Sequence, residues 1–270
     1  MNCDGLITCT QEMPKNFTDL SGRVAVVVGG TSGIGRSMAL GFAQAGADVV
    51  ATGRRADMVE EVSGLIRAEG RRTLSHTADV SDRKSIDAFR DAVVAQFGKV
   101  DVLLNVAGRI KRTPTKDLPE DEWNSIVDTN LTGTLRACQA FYEPLRASGR
   151  GRIINIASLN SYVAFFEVAS YAASKSAVLS LTRSLAVEWS RHGINVNAIA
   201  PGVFRTDLNA ALLDGTPRGK ELLMRTPMGR FGKTEELVGA AVLLASDAAS
   251  YITGQCLAVD GGFLASGVNQ

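Results

Sequence analysis

Three polar residues in this sequence have types and spacing suited to proton-coupled chemistry. Ser158 ends an apolar run, and Tyr171 and Lys175 stand four apart in the small-residue segment "SYAASK". Four residues is about one helical turn, so the phenol and the ammonium share a helix face. Oxidising an alcohol requires a base for the hydroxyl proton while hydride leaves the carbon; reducing a ketone requires the same group as an acid. Free tyrosine, with a pKa of about 10, serves poorly near neutrality. The adjacent ammonium is expected to lower that pKa, and Ser158 to donate to the substrate oxygen. Asn130, in the preceding helix, is a candidate to hold a water linking Lys175 to solvent. Singly, these four are a helix-interior amide, a cap, a half-buried aromatic and a solvated charge. Their combination carries the reading.

Such residues need a scaffold that gathers distant segments. Short β-branched runs alternate with longer amphipathic stretches. "RVAVVV", "DVVAT", "RTLSHTADV", "VDVLLNVAG", "RIINIAS", "INVNAIAPG" and "CLAVDGG" read as strands. Helices are expected over 33–46, 56–70, 82–98 (with Ser81 as N-cap), 120–147 in one piece, 170–193 and 234–249. This alternation predicts an α/β fold: a single doubly wound (Rossmann) domain with a seven-stranded parallel sheet flanked by helices. Residues 1–19 read as an N-terminal extension and 20–270 as the domain. In such sheets ligands bind beyond the carboxyl ends of the strands.

After the first strand comes "GGTSGIG", with Gly29, Thr31, Ser32, Gly33, Ile34 and Gly35. Glycines at this spacing before a helix allow a tight turn and a close backbone approach to a pyrophosphate; without a ligand they are merely a strand–helix turn. The second strand ends in Gly53, Arg54 and Arg55 rather than in an acid for a ribose hydroxyl. Arginine suits a 2′-phosphate, so NADP(H) is expected over NAD(H), with Arg54 the main contact; the bland account is a solvated arginine pair. Asp79 and Val80 are candidates to hold the adenine. In "NVAG", Asn105, Ala107 and Gly108 border the cofactor and its ribose.

Together these motifs resemble the short-chain dehydrogenase/reductases, in their Tyr-x-x-x-Lys branch, from about Leu20 to Phe263. The resemblance covers the glycine turn, Asp79-Val80, "NVAG", Asn130, Ser158, "YAASK", "PGVFRT" and "VDGG". It implies the catalytic set Asn130, Ser158, Tyr171 and Lys175, with Tyr171 and Lys175 also touching the cofactor. It further implies Pro201, Gly202, Val203 and Thr206 around the nicotinamide and pyrophosphate, and a homotetramer. Two positions depart from the family pattern: Val28 where Thr is usual, and Val106 where "NNAG" is usual. The Tyr–Lys spacing argues against the enoyl-reductase branch.

For substrate, the segments around Arg109–Asn130 and Arg225–Gly262 resemble the family's sugar-acid dehydrogenases, gluconate 5-dehydrogenase-like and 2-deoxygluconate 3-dehydrogenase-like members. Arg109, Lys111 and Arg112 form a cationic cluster that could meet a substrate carboxylate. It could equally be a solvated loop, a subunit contact or a docking patch for an acidic acyl carrier, as in a 3-oxoacyl-thioester reductase. Asn160 and Phe165 are further substrate candidates. Residues 204–232 read as a substrate lid with a short helix from Asp207. A third reading is a non-catalytic NADP(H) sensor, which would have no use for the Tyr–Lys pair.

The 270 residues carry a net charge of +1 with no like-charge block, against a nucleic-acid footprint. No apolar run is long enough to span a membrane, and the opening segment does not read as a signal peptide. Four scattered cysteines, with Cys3 and Cys9 near the start, show no metal spacing; no metal and a reducing cytoplasm are expected.

Overall fold

The computed structural model describes residues 16–206 and 209–269. Cys3, Cys9, most of the expected N-terminal extension, and Asp207 lie outside the described residues. The chain alternates strand and helix as anticipated: β1 (Val24–Val28), α1 (Gly33–Gln44), β2 (Asp48–Thr52), α2 (Ala56–Ala68), α3 (Arg83–Phe97) and β3 (Val102–Asn105). Then follow α4 (Glu120–Val127), α5 (Gly133–Ala147), β4 (Gly151–Ile156), α6 (Ala169–Trp189), β5 (Ile194–Pro201), α7 (Ala210–Leu213), α8 (Pro217–Met224), α9 (Val238–Ala245) and β6 (Cys256–Val259).

All strand pairings are parallel, in the order β2-β1-β3-β4-β5-β6. Successive strand residues face opposite layers, which is why the strands read as continuous apolar runs. Ala25 and Val27 pack with Met38, Phe42 and Leu244 beneath α1 and α9. Val26 and Val28 pack with Phe89, Phe141, Leu185 and Trp189 beneath α3, α5 and α6. The chain steps from β1 outward to β2, then returns to place β3 on the other side of β1. The carboxyl ends of β1 and β3 therefore flank the topological switch, where such sheets bind ligands.

The sheet has six strands, not seven. "RTLSHTADV" runs beside β2 but forms no ladder. Two backbone bonds join it, Val49 N–H to Arg72 O (3.1 Å) and Ala78 N–H to Gly53 O (3.0 Å). Side chains replace the others: Asp48 accepts from the Arg72 N–H (2.9 Å), and the Thr52 hydroxyl donates to His76 O (2.6 Å). The 120–147 helix is also not continuous. Asp128–Thr132 forms a π-helical turn between α4 and α5. The N-cap of α3 is Asp82, which accepts from the Lys84 N–H, rather than Ser81. Gly98 ends that helix in the left-handed conformation that glycine adopts without strain.

Candidate active site

Tyr171 and Lys175 lie in the first two turns of α6. Ser158 stands two residues beyond β4, and its hydroxyl accepts from the Asn160 N–H at 3.1 Å. Lys175 is only 4% exposed; its Nζ donates to Ile156 O at 2.6 Å and lies 5.9 Å from the centre of the Tyr171 ring. Ser158 lies close enough to the Tyr171 phenol to act on its pKa. Asn130 is fully buried in the π-helical turn, a type of irregularity frequent at functional sites. A methyl group added at Gly108 would lie 3.4 Å from Asn130 Oδ1 and 3.7 Å from Lys175 Nζ. The four residues thus converge on the end of β3.

Asn130 uses both of its amide hydrogens and one of the two acceptor positions of Oδ1. It accepts from the Arg109 N–H (2.8 Å) and donates to Arg109 O (3.0 Å) and Ser174 Oγ (3.0 Å). Ser174 in turn donates to Tyr171 O at 2.7 Å. Asn130 therefore ties the end of β3 to α6, and its side chain has no donor left for the expected water. Ser174 was not apparent from sequence, because a serine within a helix carries no distinctive mark.

The electrostatics also differ from expectation. Burial holds the Tyr171 phenol above its ordinary value, against the Ser158 side chain, which lowers it. Burial pushes Lys175 down from 10.5 to about 8. Desolvation, which disfavours either charged form, outweighs the benefit that the ammonium was expected to give the phenolate.

Beside this set is the glycine turn. Gly29 and Gly33 have φ of +87° and +49°. A Cβ on Gly29 would come within 2.5 Å of Ala107 N, and one on Gly35 within 2.1 Å of Gly29 O. Gly35→Ala is therefore expected to destabilise the fold by about 1–3 kcal/mol, seen as a lower Tm; an unchanged Tm would show that the turn relaxes freely. Above Gly33 the space is open, with only the Thr206 methyl within 4 Å of an added Cβ. The α1 N-terminus has no side-chain cap from Ser32 and no acid in its first turn. Open, unblocked N–H groups at a helix start fit a pyrophosphate. Arg54 and Arg55 are exposed and make no ion pair among the described residues. Arg54 lies near enough to Asp79 to act on its carboxylate. Burial raises the Asp79 pKa, but hydrogen bonds from Ser81, with Arg54 and Arg136, leave it net lowered. These residues fit a dinucleotide carrying an extra phosphate.

Val80 is buried against Gly133 and accepts from Arg136 Nη1 at 3.0 Å. Asn105 Nδ2 points into the interior, toward Asn155 Oδ1 (2.9 Å) and Cys138 Sγ (3.3 Å), leaving its Oδ1 without a partner. Gly202 sits where a Cβ would strike the Asp260 backbone. Val203 O accepts from the Gly232 N–H at 2.9 Å, and Thr206 reaches over Gly33. Of the residues from Pro201 to Thr206, Thr206 is thus the one placed over the glycine turn. Val28 O, at one departure from the family pattern, accepts from both Val106 and Ala107 N–H groups, at 2.8 and 2.9 Å.

The substrate candidates make contacts of their own within the protein. Lys111 Nζ pairs with Glu122 (2.5 Å) and Arg112 with Glu167 (2.5 Å), while Arg109 bonds the Ser125 hydroxyl (2.5 Å). These groups brace the loop after β3, with Lys111 and Arg112 paired to carboxylates and Arg109 held by a neutral hydroxyl. Asn160 is buried and donates to Val163 O at 3.2 Å, so it does not present its amide to a substrate. Phe165 packs edge-on to Phe263 at 5.8 Å. Glu167 has φ of +66°, the one positive φ outside glycine among the described residues. Its carbonyl accepts from the Thr113 N–H at 2.9 Å, locking two loops together.

Comparison with known proteins accords with this geometry. The family model described as "Enoyl-(Acyl carrier protein) reductase" matches residues 28–264. The 2-dehydro-3-deoxy-D-gluconate 5-dehydrogenase of Dickeya dadantii is 43% identical, over 94% of this chain and all of the relative. The gluconate 5-dehydrogenase of Gluconobacter oxydans is 38% identical, over 92% of this chain and 96% of its own. The gluconate 5-dehydrogenase of Burkholderia cenocepacia, solved in complex with NADP and tartrate, superposes with a TM-score of 0.89 at 38% identity. That match covers 93% of this chain and 98% of the other. With a glycine turn, a Tyr-x-x-x-Lys helix and full-length relatives of this kind, the chain belongs to the short-chain dehydrogenase/reductase family of oxidoreductases.

Proposed function

We propose that this protein is an NADP(H)-preferring dehydrogenase that moves hydride between nicotinamide and a secondary alcohol of a sugar acid. The convergence of Ser158, Tyr171 and Lys175 on the end of β3, beside an open glycine turn, carries the reading. When bound, NADP+ supplies the hydride acceptor. Tyr171 takes the hydroxyl proton, Ser158 donates to the substrate oxygen, and Lys175 supplies positive charge beside the phenolate. Asn130 positions α6 through Ser174. The turn of Gly29, Gly33 and Gly35, with Thr31, Ser32 and Ile34, holds the pyrophosphate. Asp79 and Val80 border the adenine, and Pro201–Thr206 cover the nicotinamide. Residues 204–232 form the substrate lid.

Full-length likeness to sugar-acid dehydrogenases supports the substrate class. Against the 3-oxoacyl-thioester alternative, two of the three cations of its docking patch, Lys111 and Arg112, are each paired with a carboxylate. Purified protein is therefore expected to reduce NADP+ with D-gluconate or a deoxygluconate, and to leave acetoacetyl thioester with NADPH untouched. The reverse outcome would overturn the assignment.

The cofactor preference rests on Arg54. Arg54→Asp is expected to lower the ratio of kcat/KM for NADP+ over NAD+ by about 100-fold, the loss of a charge-assisted pair. An unchanged ratio assigns the 2′-phosphate elsewhere.

Assembly as a homotetramer in the cytoplasm completes the proposal. The β6 edge carries an exposed Leu257, and Val187 and Tyr251 are almost wholly exposed. Light scattering should give four times the 28.6 kDa chain mass. No helix among the described residues is long and apolar enough to cross a membrane.

A further inference from the structure

The cations near the Ser158–Tyr171 loop are not equivalent. Lys111 and Arg112 each face a carboxylate, and Arg109 is held by Ser125. Arg218, in the first turn of α8, shares with Arg109 the lack of an ion pair but is not held by a side-chain hydroxyl. It makes no ion pair within 4.0 Å among the described residues, and its one hydrogen bond is a long one to Phe166 O at 3.4 Å. Its guanidinium lies 6.0 Å from the centre of the Phe165 ring. Phe165 and Phe166 precede Tyr171 by six and five residues, so this cation overlooks the loop that leads into the acid/base helix.

The placement of Arg218 is built into the fold. Thr216 caps α8 by accepting from the Gly219 N–H, and Pro217 opens the helix with its φ preset. Leu222 and Leu213 pack with Leu159 and Phe263. Arg225, two turns on, lies 5.2 Å over the other aromatic of the pair, Phe263. The helix is thus anchored on both sides of Arg218. Arg112 stands close enough to repel it, while Glu167 and Glu221 attract it weakly; burial holds its pKa below the ordinary 12.5. A half-buried guanidinium with one long hydrogen bond has unused donors, and a carboxylate matches their fork.

We propose that Arg218 binds the carboxylate of the substrate, with the Phe165 ring fixing the plane of the guanidinium, and so makes the enzyme selective for acids over neutral polyols. This deepens the sugar-acid reading and rests on it. The Arg112–Glu167 pair is neutral in sum and does not compete for the anion, while the Arg218 charge has no ion pair among the described residues.

The test compares wild type, Arg218→Leu and Arg218→Lys with D-gluconate and with D-glucitol, its neutral counterpart. Arg218→Leu should raise KM for gluconate about 10- to 100-fold, the scale of a lost charge-assisted pair, with kcat, the KM for NADP+ and the Tm little changed. Arg218→Lys should recover part of that loss, because it restores charge without the fork. Any glucitol oxidation should be insensitive to either change. An unchanged gluconate KM overturns the assignment. So does a parallel loss with NADP+ or in Tm, which would make Arg218 a prop for the lid. A wild type that oxidises no sugar acid overturns the reading beneath it.

Discussion

Tyr171→Phe is expected to lower kcat by about 10²- to 10⁴-fold, the usual contribution of a positioned acid/base group, while the Kd for NADP+ stays within a factor of three. The phenol lies beside Ser158, placed to take the alcohol proton. Its pH dependence follows from burial. Tyr171 is raised and Lys175 lowered to about 8, so the coupled pair sheds its first proton near that value. Most of that loss is from Lys175, and oxidation draws on the fraction of the singly deprotonated pair that holds its charges as phenolate beside ammonium, so its rate follows the same proton loss. Wild-type kcat/KM for oxidation should therefore climb with pH, about tenfold per unit, and level above about 8. Reduction uses the fully protonated pair and should fall over the same range. Tyr171→Phe should erase the rising limb. A variant retaining both rate and limb would remove Tyr171 from the chemistry.

Lys175→Met should impair catalysis and stabilise the protein together. At 4% exposure the ammonium is out of water, and its folded value of about 8 lies below the ordinary 10.5. Between those values the unfolded chain binds more protons, so stability rises with pH across that window. At neutral pH the buried charge costs on the order of 3 kcal/mol, partly offset by its bond to Ile156 O. Methionine removes the cost, and the Tm at pH 7 should rise by about 5 °C. The gain should fade toward pH 10.5, where the wild-type lysine is neutral in both states. Turnover should fall at least 100-fold, since no ammonium then supports the phenolate. Equal melting temperatures at pH 7 would mean that water reaches Nζ.

The outline of this site was legible because each strand announces itself as an apolar run and the chemistry follows directly after it. Gly29, Gly108, Ser158 and Pro201 could be located on that basis alone. The π-helical turn at Asp128–Thr132 was not, since one extra residue per turn leaves no mark in composition. Nor were the pairings of Lys111 with Glu122 and of Arg112 with Glu167, the latter 55 residues apart. A cluster of like charges in sequence says nothing about the carboxylates that the fold brings to it. The direction of the Tyr171 shift escaped for a related reason: spacing shows which groups are neighbours, whereas desolvation depends on everything packed around them.

The segment that failed to become a seventh strand gives the sheet unlike edges. Along β2, the 72–79 stretch consumes outward-facing backbone groups with only two ladder-like bonds, and Gln96 Nε2 takes one of its own carbonyls, Thr73 O, at 3.0 Å. A chain approaching from that side finds an irregular, side-chain-capped border in place of a template, one of the ways proteins resist edge-to-edge aggregation. At the opposite border β6 has no outer strand partner among the described residues. The residues that spoiled the strand thus protect the β2 border of the sheet from strand addition.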